Sequence, residues 1–158
     1  MSVTVLERIA LVLVGRLENM AAIGTYPSEI LRPTRLNTST PKHLQVILTQ
    51  GSAKVIGELS YPGNPPAIAR EVTFNIRCHV MSDEQSNEPI ETIINTFAAD
   101  VVKCVCTQTE WYNMDGLAIN AIWVDTEDIN ADGGIDGVNV PLSIIYRTSE
   151  NDPYAVRA

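Results

Sequence analysis

The stretch Glu71–Val80 constrains the fold more than any other part of the chain. Val72, Phe74, Ile76, Cys78 and Val80 alternate there with Thr73, Asn75, Arg77 and His79. Successive side chains of a strand point to opposite faces, so this stretch buries one face and leaves the other polar. A sheet with one dry side needs a covering layer. Two segments with helical spacing supply it. In the first, Thr4 and Glu7 fit a capping box, and Val5, Ile9, Val12, Leu13, Leu17 and Met20 recur three and four residues apart. Leu6 and Leu11 widen that stripe, and Gly24 suits a stop. In the second, Pro89 fits the first helical turn, and Ile90, Ile93, Ile94, Phe97, Ala98, Val101, Val102 and Val105 form an unbroken apolar face.

Leu44–Thr49, Val55–Leu59, Leu117–Val124 and Val138–Arg147 read as further strands, the second weakened by Gly57. Pro141 removes a ladder donor from the last, which predicts an edge strand or a bulge. An extended region covers about 26–43, with three prolines and the cluster Asn37-Thr38-Ser39-Thr40. A Pro-rich loop covers about 60–70 around Tyr61-Pro62-Gly63-Asn64-Pro65-Pro66. The order helix, loop, strands, helix, strands predicts an α+β fold. Its expected form is one antiparallel-rich mixed sheet of about four to five strands with two main helices packed on it. No linker or repeat divides the chain, so residues 1–158 are expected to form a single domain. A domain of that length builds its core without disulfides or metals.

Charge is unevenly spread. Met1–Val80 holds eight Lys/Arg against five Asp/Glu, and Met81–Ala158 holds three against fourteen. Both halves carry apolar patterning, so the asymmetry predicts a folded body with unlike faces rather than a tail. The acidic excess, net −8, argues against general nucleic-acid binding, which needs clustered cations to displace phosphate counterions. Three cysteines, no basic residue before Arg8, and an apolar run Ile9–Val14 too short to span a bilayer predict reduced thiols and assembly in the cytoplasm, with no membrane partner.

Asp128-Ile129-Asn130-Ala131-Asp132-Gly133-Gly134-Ile135-Asp136 places Asp128, Asn130, Asp132 and Asp136 at the spacing of calcium ligands in an EF-hand loop. The twelfth position is Asn139 where a bidentate carboxylate is needed, and helices do not flank it. The competing reading is a polar hairpin loop, and no cofactor is otherwise expected. Cys104 and Cys106 point in different directions on a helix and read, like Cys78, as small buried hydrophobes. His43 and His79 lack a nucleophile elbow or an acid partner with a local signature. The carboxylates Asp83-Glu84 and Asp125-Glu127-Asp128 read as solvated loop charge. Trp111, Tyr112 and Trp123 read as core or interface anchors. No catalytic residue emerges, and an enzyme is not expected.

The closing segment Val140-Pro141-Leu142-Ser143-Ile144-Ile145-Tyr146-Arg147-Thr148-Ser149-Glu150-Asn151-Asp152-Pro153-Tyr154 resembles the final strand and Arg-Thr…Asp-Pro-Tyr tail of the tail terminator (tail completion) proteins of long-tailed bacteriophages. The opening helix Val5-Leu6-Glu7-Arg8-Ile9 and the strand Glu71–Val80 fit the same order of elements. The resemblance implies a structural virion protein and a homo-oligomeric ring, commonly a hexamer. Such a ring caps the tail tube, stops its polymerisation and offers a surface for head-to-tail joining. Its partners are further copies of itself, the tail tube protein and the head connector or neck protein. DNA passes through the ring without specific recognition, and the protein sits at the head-proximal end of the virion tail. Interface candidates are Arg32, Arg35 and Lys42 in the first long loop and Tyr61, Asn64 and Arg70 in the second. Pro-stiffened loops lose less freedom on docking. The alternatives are a neck or head-closure protein of the same connector region, and a small soluble calcium-binding interaction module.

Overall fold

The computed structural model describes residues 2–33, 43–81, 88–131 and 134–157. Helix α1 (Val5–Glu18) starts where Thr4 Oγ1 accepts the Glu7 backbone N–H at 3.1 Å, satisfying one of the first-turn donors. A 3-10 turn, Asn19–Ile23, follows, and Gly24 ends it at φ +100°, a left-handed geometry that costs glycine nothing. Helix α2 (Ile90–Val105) opens directly after Pro89 and closes on the Cys106 N–H, which donates to Val102 O. Both helices stand where the periodicity puts them.

The sheet has seven strands rather than four or five. They are β1 (Gln45–Gln50), β2 (Lys54–Tyr61), β3 (Ala67–His79), β4 (Asn120–Trp123), β5 (Glu127–Ala131), β6 (Gly134–Ser149) and β7 (Asp152–Val156). The additional strands are β5 and β7, each five residues long and paired with β6, too short to show an apolar period in the sequence. The Pro-rich loop is also shorter than 60–70: β2 runs to Tyr61 and β3 begins at Ala67, because Ala67–Arg70 pairs on both sides. Among the described residues every strand pair is antiparallel, and a parallel bridge, Leu31 to Ile47, pins part of the first long loop to β1.

β3 and β6 form the spine, paired from Ala67↔Ser149 to His79↔Gly137. Shorter strands fill the flanks. β2 and β1 share the outer side of β3, while β7, β4 and β5 succeed one another along β6. The strand containing Pro141 is therefore central, not an edge. Pro141 O accepts the Val124 N–H at 3.0 Å, just past the end of β4. A residue's N–H and C=O share a direction in an antiparallel ladder, so the missing donor faces the break between β4 and β5, where no strand asks for it. Gly137 allows a close approach at the other end: a Cβ there would lie 2.0 Å from Cys78 O.

One face of this sheet is dry. Val72, Phe74, Ile76 and Cys78 of β3 and Val138, Val140, Leu142 and Ile144 of β6 pack with Val5, Ile9, Leu13 and Leu17 of α1 and Ile94, Phe97, Val101 and Val105 of α2. Arg16 enters this layer nearly buried. Its guanidinium donates to Val105 O at 3.2 Å, Trp111 O at 2.8 Å and Asp115 Oδ1 at 3.0 Å, tying the segment after α2 to α1. Both helices lie on that face. Among the described residues no helix is long and apolar enough to cross a membrane.

Candidate interaction surface

The opposite face carries Glu71, Thr73, Asn75, Arg77 and His79 of β3 beside Asn139, Ser143, Ile145 and Arg147 of β6. Among the described residues no helix packs there, and Ile47, Ile122 and Ile145 stand outside the core cluster. Side chains on this face bond sideways. Ser143 Oγ donates to Glu71 Oε1 at 2.6 Å, and Asn139 Nδ2 donates to Asn75 Oδ1 at 3.0 Å. Thr49, Asn75, Arg77, Asn139 and the start of β5 enclose an open groove of about 370 Å³. Asn139, which lines it, has a buried Oδ1 with no partner among the described residues. A buried amide oxygen without a donor costs about 1–3 kcal/mol, so this groove favours an incoming N–H.

At the β2–β3 end of the same face, two cations converge on one ring. The guanidinium carbons of Arg147 and Arg157 lie 5.3 Å and 5.7 Å from the centre of the Tyr61 ring. Arg147 Nε donates to Leu59 O at 2.7 Å. One Arg157 nitrogen donates to Pro65 O and Ser149 Oγ. Those bonds fix both side chains while, among the described residues, most of their ten N–H donors go unused.

The interface candidates from the sequence scatter around this arrangement. Tyr61 is its centre. Asn64 is exposed in the adjacent loop, preceding Pro65 through a cis bond. Arg70 faces the other side of the sheet and donates to Thr148 Oγ1 at 3.1 Å, lining a shallow groove with Thr4, Leu6 and Pro153. Arg32 forms a bidentate pair with Glu7 of α1, at 2.6 and 3.1 Å, which holds the Glu7 carboxyl below its usual range. Arg35 and Lys42 lie outside the described residues. Arg147 and Arg157 were not among the candidates; ten residues apart, they meet only because β7 folds back on β6.

The Asp-rich motif is a β-hairpin. Asp128 pairs with Val138, Asn130 with Ile135, and Ala131 with Gly134, so Asp128–Ala131 and Gly134–Asp136 are extended strand rather than the curled loop of an EF-hand. Asp132 lies outside the described residues. Cross-strand pairing dictates this: Ile129 and Val138 belong to continuous strands, and the motif's turn signal is that of a hairpin. Glu127 and Asp128 are exposed along β5. Among the described residues no three His, Cys, Asp or Glu side chains group as metal ligands.

The remaining chemistry-bearing groups are tied into structure. His43 Nδ1 accepts the Met81 N–H at 3.2 Å, joining the entry of β1 to the exit of β3. Cys78 is fully buried, and burial pushes its thiol far above the usual range; Cys104 and Cys106 shift upward for the same reason. Tyr26 donates to Asp100 Oδ2 and packs on Phe97 at 5.1 Å, and burial first, then Asp100, pushes its hydroxyl far above its usual range. Trp111 stacks on Trp123 at 5.8 Å, an anchor for the segment leaving α2.

No family model matches the chain, and no curated protein matches it. The functional reading therefore rests on the resemblance in the closing strands and on the surface just described.

Proposed function

We propose that the chain is a structural assembly protein of the phage tail-terminator type. Copies associate into a ring, commonly a hexamer in proteins of this kind, that caps a tail tube, ends its polymerisation and presents a surface to the head connector at the head-proximal end of the virion. The protein makes and breaks no covalent bond in this role.

The observation that carries the reading is the asymmetry of the spine. Two long strands bear an uncovered polar face with a cation-rich aromatic cluster near one end and an acidic hairpin at the other. A closed ring needs two different patches on one subunit, in head-to-tail contact. A helix-covered core with a bare sheet face meets that need better than it meets the need of a small-molecule enzyme, which calls for an enclosed and mostly apolar cavity. The groove here is open and polar.

Electron microscopy of the purified chain, alone and mixed with tail tubes, tests this. Rings of uniform diameter seated on tube ends are expected. Particles that remain monomeric in both preparations would overturn the reading.

A further inference from the structure

We infer that the Tyr61–Arg147–Arg157 cluster is the socket for the acidic β5–β6 hairpin of a second copy of this chain. The inference rests on the ring reading above and specifies which two surfaces close the ring.

The socket is defined by what it lacks. Among the described residues neither Arg147 nor Arg157 has a carboxylate within ion-pair distance, although Glu150 and Asp152 are close in sequence. Two guanidiniums held against one aromatic ring, with forked N–H donors, suit carboxylates in bidentate geometry. Their backbone and hydroxyl bonds hold them in place before a partner arrives, which lowers the ordering cost of docking.

The plug is defined by composition and position. No Lys or Arg occurs between Lys103 and Arg147. Within that run Asp125, Glu127 and Asp128 are exposed at the start of the hairpin. Arg77 lines the same groove as Glu127 and Asp128 and, among the described residues, makes no ion pair with them. Glu127 pairs with Asn139 and so shares the open face with Arg147. Arg147 and Asn139 lie eight residues apart on one continuous strand, about 26 Å at roughly 3.3 Å per residue. That span exceeds the reach of the two side chains, so the socket and plug of one molecule do not meet. Contact between copies is head-to-tail, and complementary potential steers it.

Sedimentation velocity on the full chain provides the test. Two variants reverse one side each: Glu127→Lys with Asp128→Lys, and Arg157→Glu. A third, Arg147→Gln, removes one charge while keeping a donor near Leu59 O. Thermal melts confirm folding, and Arg157→Glu, just past the end of β7, carries the test if Arg147→Gln melts early. Self-association is expected to weaken about tenfold or more in each reversed variant. An equimolar mixture of the two reversed variants recovers it, because each altered plug then faces an altered socket. Variants that form rings as well as the original chain would overturn the contact and leave the ring reading standing. An original chain that never associates, alone or on tubes, would overturn both. A short DNA duplex titrated against the same proteins supplies a further arm. Binding that depends on Arg147 and Arg157, with no rescue of association in the mixture, would assign the socket to phosphate and overturn the inference.

Discussion

The two faces of the β3–β6 spine are made by the same strands and do opposite work. On one, Phe74, Ile76, Leu142 and Ile144 are fully buried under both helices. On the other, residues one step along the same strands carry amides, hydroxyls and charges and meet no second layer among the described residues. The covered face is bound by close packing, where a missing methylene leaves a cavity. The bare face pairs side chains only laterally, so its residues are free to specify a partner without fixing the fold.

The sharpest way to break that contrast is to truncate neighbours of opposite phase. Phe74→Ala is expected to lower unfolding free energy by about 3–5 kcal/mol in urea titrations, because the void lies beneath both helices. Arg77→Ala, three residues along and exposed on the bare face, is expected to change stability by no more than about 0.5 kcal/mol. Equal losses at the two sites would mean that the bare face is itself packed.

Arg16 gives the next largest effect, since it is a charge placed inside the covered layer. Its pair with Asp115 contributes little, as that carboxylate is 55% exposed. The carbonyls of Val105 and Trp111 matter more, because removing the guanidinium leaves both without their donor. Arg16→Leu is expected to cost about 2–3 kcal/mol and Asp115→Asn less than about 1 kcal/mol by the same titrations. Loss of the stacked Trp111 and Trp123 environment, read by tryptophan fluorescence, should accompany the first and not the second.

How much of this was legible follows the same division. The covered face announced itself: α1, α2 and the alternation of β3 each carry apolar spacing set by burial, and the structure places them accordingly. The bare face and its projecting strands did not. β5 and β7 are five residues each, too short to show an apolar period, whereas β2 was legible only as the weak strand Val55–Leu59. Pro141 read as an edge signal because sequence shows the missing donor but not the gap it faces. Of the surface, Tyr61 was legible as a stiffened-loop aromatic. Arg147 and Arg157 were not, since their convergence depends on the β6–β7 turn and on register. The Asp-rich spacing reads either as a hairpin turn or as a metal loop, because Asp, Asn and Gly serve both, and the described residues on its two sides pair as strands.

Alkaline pH sharpens the covered face further. Cys78 and Tyr26 both have hydroxyl or thiol protons held above their ordinary range, chiefly by burial. A raised value in the folded state means that the stability contribution is complete below the unfolded value and is lost as pH rises toward the folded one. The loss therefore begins near about pH 8.5 for Cys78 and near about pH 10 for Tyr26, at up to about 1.4 kcal/mol per pH unit for each group. Cys78→Ala is expected to flatten the decline between those two points in urea titrations repeated across pH. A decline unchanged by that substitution would assign the alkaline loss elsewhere.

Arg32 and Glu7 should give the smallest stability effect, and for that reason they discriminate best between fold and assembly. The two side chains are 35% and 41% exposed, so water screens the pair despite its bidentate geometry, and Arg32→Ala is expected to cost less than about 1 kcal/mol. Glu7 has its carboxyl value lowered by the Arg32 bond. Its contribution is therefore present above the unfolded value near about pH 4.3 and fades as pH falls through the folded one. Melting temperature measured down that acid window should show a shallow loss in the original chain and less in Arg32→Ala. If Arg32 belongs to a docking surface, the same substitution will impair capping of tail tubes far more than it lowers the melting temperature, because the Glu7 pair then serves to orient a guanidinium toward a partner. If tube capping, where the proposed function holds, and melting temperature fall together or not at all, Arg32 is a brace between the first loop and α1, and the proposed assembly surface excludes it.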